Sequence, residues 1–444
     1  MKKILWVGWV LVTISLASYY GYKLMISSDK SDFLIGEATH GHHQIELACE
    51  TCHVDSFGGP EVLQDACTNC HAEELKLARD SHPMKKFTNP RNADLIEILD
   101  ARQCISCHTE HQQERTHPMG LTLPEDYCVH CHLETLENRE SHKDLAFDTC
   151  ASAGCHNFHD NRALYEDFLL NNANQPWLSQ ITKLNAANHA HYKAERKQEL
   201  APAPELASDH PQIMASWSQS AHATAQIGCV DCHTSAANDD WIEKPGIESC
   251  QSCHENEVNG FTAGKHGMRL SAALSKPLSP MTPSLARLPF HADAMNKELS
   301  CNSCHDVHSV ETQTAAVDSC LTCHADDHSM AFLDSPHGKL WQDELAGTGE
   351  EGSGVSCATC HMPRMQAKGF IDKEKGIREI SVEHNQNATL RPNEKMIRPI
   401  CMQCHSLEFS IDALADKALI KNNFNGKPAA HIESIDWVLQ RVDE

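Results

Sequence analysis

The stretch HQIELACETCHVDSFGGPEVLQDACTNCH, His43 to His71, holds two Cys-x-x-Cys-His units, each ending in a histidine, behind an upstream histidine. Its plan recurs along the chain. HATAQIGCVDCH (222–233) is followed by GIESCQSCH (246–254). HADAMNKELSCNSCH (291–305) is followed by AVDSCLTCH (316–324). In each copy an acidic residue, Asp65, Glu248 or Asp318, stands two places before the first Cys of the second motif. CISCHTEH and PEDYCVHCH, between Cys104 and His132, form a looser fourth copy, and CATCH (357–361) and CMQCH (401–405) complete ten motifs.

These motifs take twenty of the 22 cysteines: Cys49, Cys52, Cys67, Cys70, Cys104, Cys107, Cys128, Cys131, Cys229, Cys232, Cys250, Cys253, Cys301, Cys304, Cys320, Cys323, Cys357, Cys360, Cys401 and Cys404. The remaining two, Cys150 and Cys155, lie in DTCASAGCHNFH (148–159), where four residues separate them and a histidine again follows. Cys-x-x-Cys-His reads as c-type heme attachment: each thiol adds to one vinyl group, and the adjoining His is set beneath the iron. Zinc knuckles share the Cys spacing but do not require a His after every pair. A disulfide framework has no use for that His. The Cys150–Cys155 unit follows His132 at the interval that separates His108 from His132, and Gly154 eases a bulge between its thiols. Eleven c-type hemes are therefore expected, with His53, His71, His108, His132, His156, His233, His254, His305, His324, His361 and His405 as attachment ligands.

The tandem layout resembles the doubled-motif, cytochrome c3-like multiheme proteins. That resemblance implies an upstream His as ligand, here His43, His222 and His291, and tolerance of a four-residue Cys spacer. Other candidate axial ligands are His82, His111, His142, His159, His266, His308, His328, His337 and His384, which follow a motif closely or stand beside Pro or Gly in several cases. His40, His42, His117, His189, His191, His210 and His431 rank lower, and His130 lies inside its motif. Met84, Met119 and Met268 are possible sulfur ligands or packing residues.

The 444 residues leave roughly 40 per heme, too few for a conventional core, and Gly, Pro, Asn and Ser breaks are frequent. The expected fold is mostly α with much irregular structure, little or no β-sheet, and hemes as the apolar core. Residues 27–160 read as a five-heme part, 161–210 as a helical connector and 211–444 as a six-heme part. Residues 1–26 read as a membrane anchor or a signal segment: Lys2 and Lys3 precede an uncharged run from Ile4 to Tyr22, with Trp and Tyr toward its ends. Either reading puts the body in the periplasm, tethered to the cytoplasmic membrane or released after cleavage. The formal charge of −24 argues against nucleic acid and suits solubility or basic redox partner proteins.

The C-terminal part, through SPHGK and CATCHMPR, resembles the nitrite reductase/hydroxylamine oxidoreductase group. That resemblance implies an enzyme reading, with Arg364, Lys368, Arg391 and Arg398 as oxyanion partners or as propionate partners. No Cys-x-x-Cys-Lys occurs, and Tyr127, Tyr165 and Tyr192 lie in no diagnostic setting. The favoured expectation is an electron carrier between a quinol-linked donor and a periplasmic acceptor. The alternative is an oxidoreductase of small nitrogen or sulfur oxyanions at one five-coordinate iron.

Overall fold

The computed structural model describes residues 2–442 except 28, 56–57, 79–81, 117–119, 125, 140–141, 144–157, 160–165, 181–209, 235–239, 277, 310–311, 373–376 and 387–392. Short helices and single 3-10 turns joined by irregular chain make up nearly all of it. Apart from the first helix, only Pro60–Ala78 exceeds ten residues. The motifs explain this brevity. Most described Cys-x-x-Cys segments form one short helical turn, such as Cys49–Cys52, Cys229–His233 or Cys357–His361, that breaks soon after its His, whereas Cys67–His71 lies inside Pro60–Ala78. Ser356 caps one such turn by accepting from the Thr359 amide, and Asp231 reaches back to the Gly228 amide at another.

The only sheet among the described residues is an antiparallel hairpin of Arg364–Asp372 with Ile377–Val382. Its register pairs Arg364 with Val382 and Asp372 with Ile377, with an irregularity between Gln366 and Ile371.

A peptide core is nevertheless present at the C-terminal end. Leu407, Ile411 and Leu414 lie on one face of the helix Leu407–Ala415 at three- and four-residue spacing. They meet Ile435 and Val438 of the helix Ser434–Val442, together with Met396, Ile397 and Ile400. Leu169 and Leu178 complete this cluster, and Leu178 is fully buried. Part of the expected connector thus packs into the C-terminal body. The reason is its apolar pattern: Phe168, Leu169 and Trp177, Leu178 present side chains that a linker would leave in water. A smaller cluster joins Val317, Phe332 and Trp341.

The N-terminal part folds back onto residues 265–287. Lys265 donates to the His40 carbonyl and Arg269 to the Gln44 carbonyl. Arg287 donates to the Ala38 carbonyl at 3.1 Å and pairs with Glu37. Lys276 pairs with Glu50 at 2.8 Å, and Thr51 meets Ser275. Backbone carbonyls of one segment are thereby satisfied by cations of the other.

Helix Lys2–Met25 buries none of its residues, and its most apolar window has a mean hydropathy of 1.5. At 1.5 Å per residue its 24 residues reach about 36 Å, enough for a bilayer core. Beyond it, Lys23 pairs with Asp29 and Asp32, fixing how the helix leaves the body.

Candidate heme-binding sites

The motif turns place two thiols and an imidazole on the same short segment, and the distal imidazoles come from elsewhere. Two imidazoles that share one iron through Nε2, at about 2 Å each, have ring centroids about 6 Å apart. Eight attachment histidines face a second imidazole at that separation. The pairs are His42–His71 at 5.9 Å, His82–His132 and His222–His254 at 6.0 Å, and His337–His405 at 6.1 Å. His233–His308, His266–His324 and His328–His361 stand at 6.2 Å, and His305–His384 at 6.3 Å. Every pair joins one motif His to one His outside the motifs. Chance clustering of imidazoles would also produce motif–motif pairs at this distance, and none occurs among the described residues. The spacing and the free thiols fit c-type heme.

Ring orientation is held from the other nitrogen. Nδ1 of His82 donates to the Phe158 carbonyl, and Nδ1 of His328 to the Ile420 carbonyl, both at 2.5 Å. His233 uses Ile242 at 2.7 Å and His384 uses Val382 at 2.9 Å. His42 donates to Glu110 at 2.6 Å and His71 to Glu74 at 3.0 Å. A donor proton on Nδ1 leaves the Nε2 lone pair for a metal. Burial pushes His266, His361 and His337 down to about 4, aided by their neighbouring imidazoles, which keeps them in the neutral, ligating form. His222 and His305 are lowered for the same reason, and His405 by burial alone.

The thiols of successive motifs lie together. Cys67 is in hydrogen-bond contact with Cys104, Cys250 with Cys301, and Cys320 with Cys357. Cys52 lies near Cys70, Cys107 near Cys128, Cys232 near Cys250, Cys304 near Cys320, and Cys360 near Cys401. Sites one to four and six to eleven therefore follow one another in space as they do in sequence. In the touching pairs one thiol is lowered and the other raised by their shared hydrogen bond; Cys104 falls to about 6 and Cys301 to about 7. None of the twenty described cysteines is in a disulfide.

The remaining sequence candidates fall in three groups. His108 lies within electrostatic reach of His159, and burial with that neighbour lowers it to about 4. His53 is exposed and makes no ring contact with a second imidazole among the described residues. Cys150, Cys155 and His156, expected to form a fifth site, lie outside the described residues with His117, His189, His191, Met119 and Arg391, as do Tyr165 and Tyr192.

His43, expected as a ligand, turns its Nε2 onto the Leu285 carbonyl at 2.8 Å, and its neighbour His42 faces His71 instead. His111 donates from Nδ1 to the Gly36 carbonyl at 2.9 Å. His142 follows the short helix Thr135–Asn138, and His291 donates its backbone amide to the Cys323 carbonyl. His308 and His328 each face a motif other than the one they follow. His40 is bound to Glu114, and His431 to Asp412 and Asp436. His130 and His132 border a cavity of about 380 Å³ that opens beside Cys131. Arg398 stacks 4.0 Å over Phe168. Gly267 and Gly338 are needed for protein packing: a Cβ there would meet Phe261 or the Phe332 carbonyl at 2.6 Å or less.

Glu74 and the carbonyls that orient the rings carry no motif signal. The Glu in CHTEH was the one visible hint, an acid beside a row of imidazoles.

Residues 41–133 match the family model for cytochrome c3. A high-molecular-weight cytochrome c of Nitratidesulfovibrio vulgaris is 26% identical over 166 residues, 33% of this chain and 27% of that protein. The multiheme cytochrome MtrA of Shewanella baltica is 25% identical over 313 residues, 63% of this chain and 80% of that protein. The chain thus spans about a quarter of the first relative and most of the second. These matches, with ten motifs and eight facing imidazole pairs, support a multiheme c-type cytochrome of the cytochrome c3-like group.

Proposed function

We propose that the chain carries electrons through eleven covalently attached, mostly bis-His hemes between a membrane quinol-linked donor and a periplasmic acceptor. Bound heme supplies a one-electron iron couple whose potential follows its axial ligands and exposure. The protein's residues do the rest. The thiols and the paired imidazoles would hold each group, and carbonyls or carboxylates on Nδ1 fix the ring planes. The observation that carries this reading is the set of eight facing pairs joined by contacting thiols, which favours conduction over substrate binding. Helix Lys2–Met25 supports export, either as a tether or as a signal. The acidic surface favours basic redox partners.

A second reading, a reductase or oxidase of a small nitrogen or sulfur oxyanion, is favoured by His53, which faces no second imidazole among the described residues. Electron paramagnetic resonance of the ferric protein separates the two. Low-spin signals that ignore nitrite and cyanide support the conduit. A stoichiometric high-spin signal that shifts with either ligand supports the enzyme.

A further inference from the structure

The last motif, Cys401–His405, is followed by a cluster that the heme sites do not use. Glu408 and Asp412 stand four residues apart on the helix Leu407–Ala415, so they share a face. Asp436 comes from the first turn of the helix Ser434–Val442, and His431 from the loop before it. One ligand atom from each of Glu408, His431 and Asp436 lies within 4.8 Å of the others.

We propose that Nε2 of His431 and the carboxylates of Glu408 and Asp436 bind one divalent transition-metal ion that clasps the C-terminal helix to the helix following the last heme motif.

Three observations support it. First, the imidazole is aimed: Asp412, nearly buried, accepts from Nδ1 of His431 at 3.0 Å and from the Ile432 amide at 2.8 Å. A carboxylate on Nδ1 is the usual outer partner of a metal-bound His. Second, Nε2 lies 2.9 Å from Asp436 Oδ2. Two ligands about 2.0 to 2.2 Å from one tetrahedral ion are about 3.4 Å apart, so this pair needs to open by only about 0.5 Å to admit one. The ion would replace the proton now shared there, so binding releases one proton and leaves the imidazole neutral. Third, the charge is unbalanced. Three carboxylates meet one imidazole.

One nitrogen with two carboxylate oxygens selects a borderline ion such as zinc over calcium or magnesium, which prefer oxygen alone, and over ions that need thiolate. Asp412 is a positioning residue, because it acts through His431. The clasp ties the N-terminal end of one amphipathic helix to that of another over the shared apolar core of Ile411, Ile435 and Val438.

The test uses the heme-loaded full chain with zinc chloride. Zinc and iron are measured after gel filtration, and hydrogen exchange is followed over 407–442. The expected result is one zinc per chain, slower exchange of the C-terminal helix, and loss of both effects in Glu408→Gln and Asp436→Asn. Asp412→Asn should weaken zinc binding by about 10- to 100-fold. The two partly exposed variants should keep the wild-type heme spectrum, which guards against misfolding. Equal zinc in wild type and both variants, or none in wild type, overturns the site.

Discussion

The adjacent pair His42 and His43 gives the sharpest single perturbation. Their side chains diverge: His42 faces His71 at 5.9 Å, and His43 bonds the Leu285 carbonyl. His42→Ala should open one iron, so spin-counted resonance should show about one heme's worth of new high-spin iron. It also removes a charge-assisted bond to Glu110. Because both side chains are about one-third exposed, that loss is about 1 kcal/mol after solvent screening. Glu110 keeps its bonds from Thr39, so the loop should stay folded. His43→Ala should add no high-spin iron and cost about 1 kcal/mol for one hydrogen bond. The assay is spin quantitation of the two ferric variants, with heme content as the loading control. High-spin iron in His43→Ala and none in His42→Ala would refute the pairing logic, because the ring separations would then not report axial partners.

Ring planes offer a second prediction. They are nearly perpendicular for His82–His132 (84°) and His328–His361 (88°) but nearly parallel for His233–His308 (11°). Two classes of low-spin signal are expected, His82→Ala and His328→Ala depleting one and His308→Ala the other; depletion of a single common class contradicts this. Leu178→Ala should destabilise the C-terminal body by about 2 to 5 kcal/mol, since the residue is fully buried in its core. An unchanged melting temperature would show that the connector does not pack there. Arg287→Glu and Lys276→Glu together should loosen the contact between residues 37–51 and 265–287, read as a larger radius of gyration by small-angle scattering. Each exposed pair is worth at most about 1 kcal/mol, so heme content should not change, and an unaltered radius would mean the contact does not hold the parts together.

The sequence carries the expectation of attachment because covalent chemistry is local: two thiols and a His must lie on one turn. Axial pairing was not legible there, because the second imidazole arrives from far along the chain. His337 and His405, or His305 and His384, meet only through the fold. Between neighbours such as His42 and His43 the sequence offers no choice, and backbone direction decides. His222 shows where the upstream pattern leads: it faces His254, the second motif of its doublet, as His42 faces His71. His291 breaks that pattern, and His266 takes the place opposite His324. The mostly helical, irregular fold followed from motif density and frequent breaks. The C-terminal apolar core was missed because its members are scattered from Leu169 to Val438, with no periodic stretch long enough to announce it.

The most direct test of the account is the number of hemes per polypeptide, from intact mass together with heme absorbance. Eleven are predicted, falling to ten when Cys150 and Cys155 are both replaced by Ser. Ten or fewer in the unaltered chain would contradict the proposal that every Cys-His motif, the widened one included, carries a heme.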